Sequence, residues 1–119
     1  MAWEIEVTDQ FWSWWADLTT DQQAAVSVRV ELLGERGPSL GRPAVERIVS
    51  SRHHNMKELR SSEGGALRVL FMFDPRRQVI LLLGGDKSGQ WNEWYELAVP
   101  LADELYDIYL DELREEGLI

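Results

Sequence analysis

The sequence predicts an α+β fold, and three observations carry that reading. A period-two run, Trp3-Glu4-Ile5-Glu6-Val7, opens the chain. Helical periodicity follows it and returns after Trp91, and three apolar runs of strand length lie between. The expected arrangement is an N-terminal strand and a helical hairpin packed on a small antiparallel sheet, with a C-terminal helix closing it. At 119 residues the chain has the size of one domain, so residues 1–119 are read as a single unit.

Each element has its own signal. Thr8 can cap a first helix, with Asp9 in its first turn, and Phe11, Trp14, Trp15 and Leu18 form its apolar face. Thr20 and Gln23 have capping-box spacing and predict the start of a second helix. Its stripe is Val26, Val30 and Leu33, and Gly34 or Gly37 ends it. A Gly/Pro-punctuated loop covers 37–43. Strands are expected over Asn55 to Arg60, Leu67 to Asp74 and Gln78 to Gly84, joined by short turns as an antiparallel meander, with an irregular strand at Val45 to Val49 before them. From Trp91, the residues Trp94, Leu97, Leu101, Leu105, Ile108 and Tyr109 make a helical stripe, which Pro100 must kink or restart.

Composition excludes several classes. No apolar run approaches the ~18 residues of a membrane span. The absence of cysteine removes disulfides, thiolate zinc sites and cysteine nucleophiles. No basic-then-apolar leader is visible, so a cytoplasmic protein without a membrane partner is expected. The net charge of −9 argues by itself against nucleic-acid binding, but it is unevenly spread. Residues 1–41 carry −5, residues 42–87 carry +4, and residues 88–119 carry −8. Ten of the twelve cations are arginine, the side chain best suited to bidentate phosphate contacts.

Strand parity places some of these cations together. Met56, Glu58 and Arg60 share one face of their strand and Lys57 takes the other; Val69, Phe71 and Phe73 suit a core, which turns Arg68, Leu70 and Met72 outward. Arg60 and Arg68 are then neighbours on the solvent face of the sheet. Lys87, in Gly84-Gly85-Asp86-Lys87-Ser88-Gly89, follows the last strand. With Arg76, Arg77 and Arg52-His53-His54 at the rim, they predict a phosphate-sized positive pocket. Any single arginine reads equally well as a solvated charge. The glycines before Lys87 lack Walker-loop spacing, and the adjacent histidines lack the spacing of a zinc pair, so no metal or other cofactor is expected. His54 is a candidate proton carrier. Trp12 lies off its helix stripe, which suits a partner interface, and Trp91 is placed to stack on a base.

In order, Leu40-Gly41-Arg42-Pro43, Met56-Lys57-Glu58-Leu59-Arg60, Leu67-Arg68-Val69-Leu70-Phe71 and Ile80-Leu81-Leu82-Leu83-Gly84-Gly85-Asp86-Lys87 resemble the RelE/ParE superfamily of toxins, closest to its HigB-like, phage-related branch. The resemblance covers residues 1 to about 110. It implies a RelE-like fold and the toxin of a type II toxin–antitoxin system, a metal-independent and ribosome-dependent messenger-RNA endoribonuclease. It also implies a cognate antitoxin, expected to be a helix-turn-helix protein, with messenger RNA and the ribosome as further partners. Arg60 and Arg68 match the family's strand arginines and Lys87 its terminal basic residue. Lys57, Arg52, Arg76, Arg77 and Trp91 are then expected on RNA, His54 in proton transfer, and Trp12 on the antitoxin. Where RelE carries lysines ahead of its first strand arginine, this chain reads Met56 and Glu58. The alternative is a ParE-like gyrase inhibitor without nuclease activity, or an inactive member that only binds its antitoxin.

Overall fold

The structure, a computed structural model, describes residues 2–61, 66–88 and 91–119, except the side chain of Trp91. In chain order it contains β1 (Ile5–Val7), α1 (Asp9–Ala16), α2 (Thr20–Arg36), a short 3-10 turn (Gly37–Ser39), β2 (Val45–Arg47), β3 (Lys57–Ser61), β4 (Leu67–Phe73), β5 (Val79–Asp86) and α3 (Trp91–Glu115). The expected connection over Ser61 to Gly65 lies mostly outside the described residues.

Capping sets the hairpin. The Thr8 hydroxyl accepts from the Phe11 amide at 3.0 Å and donates to the Leu82 carbonyl at 2.6 Å, so one residue both starts α1 and ties it to β5. The second capping box lies one residue earlier than the spacing suggests, between Thr19 and Gln22. Gln23 instead donates to the Trp15 carbonyl at 2.9 Å and joins the two helices across their turn. Gly37 ends α2 with φ of 54°, a conformation that L side chains rarely adopt.

The sheet runs β1-β5-β4-β3-β2. The expected meander is present: β2, β3, β4 and β5 pair antiparallel. The sheet is not wholly antiparallel, because β1 joins β5 in parallel. The hairpin carries the chain from β1 to β2 at the opposite edge, and the meander then returns to β5, which gives the long connection a parallel neighbour requires.

Both faces of the sheet are covered, which corrects the expectation of a solvent face carrying Arg60 and Arg68. On one face Leu59, Val69, Phe71, Val79 and Leu81 pack against Phe11, Val26 and Leu33 of the hairpin. On the other, Met56, Leu70, Met72, Ile80 and Leu82 pack against Ala98, Val99, Ala102, Leu105 and Tyr106 of α3. The near-continuous apolar runs of β4 and β5 have this physical cause, since strands buried on both faces lose polar alternation.

The α3 stripe also differs from the reading above. Leu97 is 79% exposed and Ile108 54%, while the buried positions are Ala98, Val99, Ala102, Leu105 and Tyr106. Small alanines let the helix axis come close to the sheet, and Leu97 and Leu101 fall outside the contact while Leu105 stays within it. Pro100 neither ends nor restarts the helix. It forfeits one helical N–H donor and faces solvent.

Candidate active site

The site forms where β3, β4 and β5 meet the first turns of α3. Register places Arg60 directly opposite Arg68, and Arg68 opposite Gly85. A bulge between Leu81 and Leu83 shifts the parity of β5. Beyond it Gly84 faces the hairpin and Gly85 faces α3. A Cβ on Gly84 would stand 2.1 Å from the Trp14 ring, and one on Gly85 would stand 2.2 Å from the Trp94 indole nitrogen. The two glycines are seats for two tryptophans, one on each face, which accounts for them without a phosphate loop. Seated in this way, Trp94 holds the start of α3 over the sheet and presents Tyr95, its ring 5.0 Å away and edge-on, to the arginines.

Glu58 stands at the centre of the cluster and is only 3% exposed. One oxygen lies 3.1 Å from Arg60 Nη2; the other lies 3.5 Å from Arg68 Nε and accepts a 2.5 Å hydrogen bond from the Tyr95 hydroxyl. Lys87 is buried too, with its ammonium 5.5 Å from the centre of the Tyr95 ring and its amide donating to the Ala66 carbonyl. Three cations thus face one carboxylate in a largely desolvated space. Burial holds the Lys87 amine below the usual lysine range; neighbouring Arg68 adds to the shift and Glu58 opposes it. Burial, then the Glu58 carboxylate, pushes Tyr95 up to about 12. The Nε atoms of Arg60 and Arg68 are buried without a hydrogen-bond acceptor among the described residues.

Strand parity therefore brings Arg60, Arg68 and Lys87 together as expected. It missed Glu58 as their common partner, and Tyr95. The signal for Glu58 was its shared parity with Arg60; nothing local announces Tyr95, which lies 37 residues from Glu58.

The other candidates lie elsewhere. Lys57 points to the hairpin face, away from the cluster, by the alternation that puts Glu58 on the α3 face. His54 is exposed, beyond the far end of β3 from Arg60. Its neighbour His53 is half-buried, 2.9 Å from Asp107 and edge-on to Tyr106. Arg52 pairs with the same Asp107, and Ser51 donates to Asp103 at 2.5 Å, so this segment latches onto α3. Arg52, then His53, holds the Asp107 carboxyl below the usual range. Arg76 and Arg77 sit on the β4–β5 turn, at the opposite end of β4 from Arg68, roughly 20 Å along the strand. Arg76 lies 3.1 Å from Glu6 and 3.3 Å from Asp74 and donates to the Tyr109 hydroxyl at 2.9 Å, while Arg77 lies over Trp3. They pin β1, the turn and α3 together. The expected stacking role of Trp91 falls on a side chain outside those described. Trp12 is 60% exposed on α1, on the hairpin side of the sheet.

This arrangement, a five-stranded sheet between a helical hairpin and a C-terminal helix, is a RelE-like fold. E. coli RelE, as a double mutant in the free state, superposes with a TM-score of 0.59 at 14% identity, covering 84% of this chain and 97% of that one. The family model "Phage derived protein Gp49-like (DUF891)" matches residues 13–107. Among relatives, HigB3 of Mycobacterium tuberculosis is 48% identical over 97 residues, 82% of this chain and 84% of that protein. HigB2 of the same organism is 38% identical over 117 residues, 97% of this chain but 58% of that protein. The chain belongs to the Gp49-like family, as a HigB-type toxin of a toxin–antitoxin system within the RelE/ParE superfamily. An antitoxin is therefore its partner. Among the described residues no helix is long and apolar enough to cross a membrane.

Proposed function

We propose that the chain is an endoribonuclease that cuts messenger RNA at the ribosome by activating a ribose 2′-hydroxyl against the adjacent phosphate. The observation that carries this reading is the pair of cross-strand arginines on either side of a buried carboxylate. Guanidinium forks match phosphate geometry.

The chemistry follows from the positions. Glu58 accepts the 2′-hydroxyl proton as the oxygen bonds to phosphorus. Arg60 and Arg68 hold the non-bridging oxygens, where negative charge gathers in the transition state. Lys87, a stronger acid than an ordinary lysine, gives its proton to the departing 5′-oxygen. The products are a 2′,3′-cyclic phosphate and a 5′-hydroxyl. Tyr95 donates to Glu58 and keeps it aimed, a positioning role.

The test is induced expression of variants, with transcript ends mapped and translation followed. Arg68→Ala should abolish growth inhibition and transcript cleavage with the fold intact. Glu58→Gln should slow cleavage roughly 100-fold or more, the usual loss when a general base is removed. Undiminished cleavage in Arg68→Ala removes the central residue from this scheme. Growth arrest with intact transcripts and halted DNA replication would overturn the nuclease reading in favour of gyrase inhibition.

A further inference from the structure

The arginine cluster does not stop at β3. The Val45 amide donates to the Gly41 carbonyl at 3.0 Å and the Arg60 amide to the Ala44 carbonyl at 2.7 Å, which turns the chain into β2 and sets it beside Arg60. Val45 and Leu59 are paired in the hairpin core, so the next pair, Glu46 directly opposite Glu58, falls on the α3 face. Like charges in that position repel. Here each is met by a cation: Arg42 Nη2 lies 2.7 Å from Glu46, and Arg60 Nη2 lies 3.1 Å from Glu58. The hydrogen bond from Arg42 holds the Glu46 carboxyl below the usual range, and Arg60 adds to the shift. From the β2 edge inward, Arg42, Glu46, Arg60, Glu58 and Arg68 therefore alternate in sign across three strands.

Exposure falls along the same line. The Arg42 side chain is 80% exposed, that of Arg60 35% and that of Arg68 13%, and Lys87 is buried beyond them. The site thus opens toward the β2 edge and closes under α3. Arg52, Arg76 and Arg77 do not extend it, since they are held on Asp107, on Glu6 and Asp74, and over Trp3. Arg42 can turn to a new anion at small cost, because exposed ion pairs such as its bridge to Glu46 are worth little.

The acid and the base give this line a direction. Glu58, on β3, takes the 2′-hydroxyl proton, and Lys87, after β5, protonates the departing 5′-oxygen. The attacking ribose then lies toward β2 and the leaving nucleotide toward β5. We propose that Arg42 binds the phosphate on the 5′ side of the attacking ribose, so that the message crosses the strands with its 5′ end at the β2 edge. Strands β2 and β4 lie two spacings apart, about 10 Å, which separates this phosphate from the one held between Arg60 and Arg68. The contact rests on the nuclease scheme and adds to it the path of the substrate.

The experiment is a double-mutant cycle on ribosome-bound synthetic messages in which one phosphate at a time is made a neutral methylphosphonate. The full chain and its Arg42→Ala variant are compared by kcat/KM for cleavage. Neutralising the phosphate 5′ of the attacking ribose should lower kcat/KM roughly five-fold in the unaltered chain, the worth of about one hydrogen bond. Arg42→Ala should show the same loss on the unmodified message and no further loss on the neutralised one. Neutralising the phosphate 3′ of the leaving nucleotide should affect both proteins equally. A thermal melt of Arg42→Ala, expected to be unchanged for so exposed a side chain, separates loss of the contact from loss of the fold. Losses that multiply independently, or a dependence on Arg42 at the 3′ phosphate instead, overturn the flanking contact while the nuclease scheme stands. An unaltered chain that leaves the unmodified message uncut overturns both.

Discussion

Gly84 and Gly85 are neighbours in the chain but serve opposite faces of the sheet. A methyl group at either position would enter an indole ring, that of Trp14 at 2.1 Å or that of Trp94 at 2.2 Å. A rigid bicyclic ring cannot turn aside as a long flexible side chain can. Gly84→Ala and Gly85→Ala should therefore each cost about 1–3 kcal/mol by overpacking. In thermal unfolding that is a fall of roughly 4 °C or more for a chain of this size. Gly41→Ala is the control, because nothing lies within 4 Å of a Cβ there, and it should leave the midpoint unchanged. The two substitutions should differ in consequence: Gly85→Ala disturbs Trp94 and with it Tyr95 and Glu58, so activity should fall further than stability alone explains. At this scale sequence composition excludes a role without supplying one. Glycine spacing already excludes a Walker loop before the Lys-Ser pair, but only the fold shows what the glycines give: room for aromatic rings brought from 70 residues upstream and 9 downstream.

At the scale of elements, legibility follows whether the partner is local. Strand parity and turn chemistry are properties of adjacent residues, so the meander and the Arg60–Arg68 pairing could be read directly. The docking of α3 could not. Leu97, Leu101 and Ile108 satisfy helical spacing as well as the true stripe does, and the stripe that is buried is marked by Ala98 and Ala102, which carry little hydrophobic weight. Two substitutions separate the assignments. Leu105→Ala removes a side chain packed on Ile80 and Leu82 and should cost about 2–4 kcal/mol. Leu97→Ala removes an exposed one and should stay within roughly 0.5 kcal/mol. Equal losses in denaturant titration would mean that α3 is rotated from the orientation described. The same limit hid Glu58: its parity was plain, but that it anchors Arg60, Arg68 and Tyr95 depends on where α3 begins over the sheet.

Across the whole molecule, three tyrosines help to fasten α3, and they share one electrostatic character. Tyr95 donates to Glu58 within the arginine cluster. Tyr106 packs in the α3 core beneath His53. The Tyr109 hydroxyl stands 2.6 Å from Asp74 and 2.7 Å from Glu6 at the far end. These are the only tyrosines in the chain. Burial raises all three above the ordinary tyrosine value of about 10, and neighbouring carboxylates raise them further. A raised pKa means that the folded state holds its proton more tightly than the unfolded chain. The stabilisation is therefore complete below about pH 10 and is lost as pH climbs through the range that includes Tyr95, at about 12. An alkaline titration followed by tyrosinate absorbance and by far-ultraviolet ellipticity together should show less ionisation at pH 10 than free tyrosine, which is about half ionised there. Above that, ionisation and loss of ellipticity should proceed together, because deprotonating these hydroxyls removes the stabilisation they give the folded state. Gradual ionisation centred near pH 10, with the ellipticity intact, would show that the tyrosines do not fasten α3 in this way.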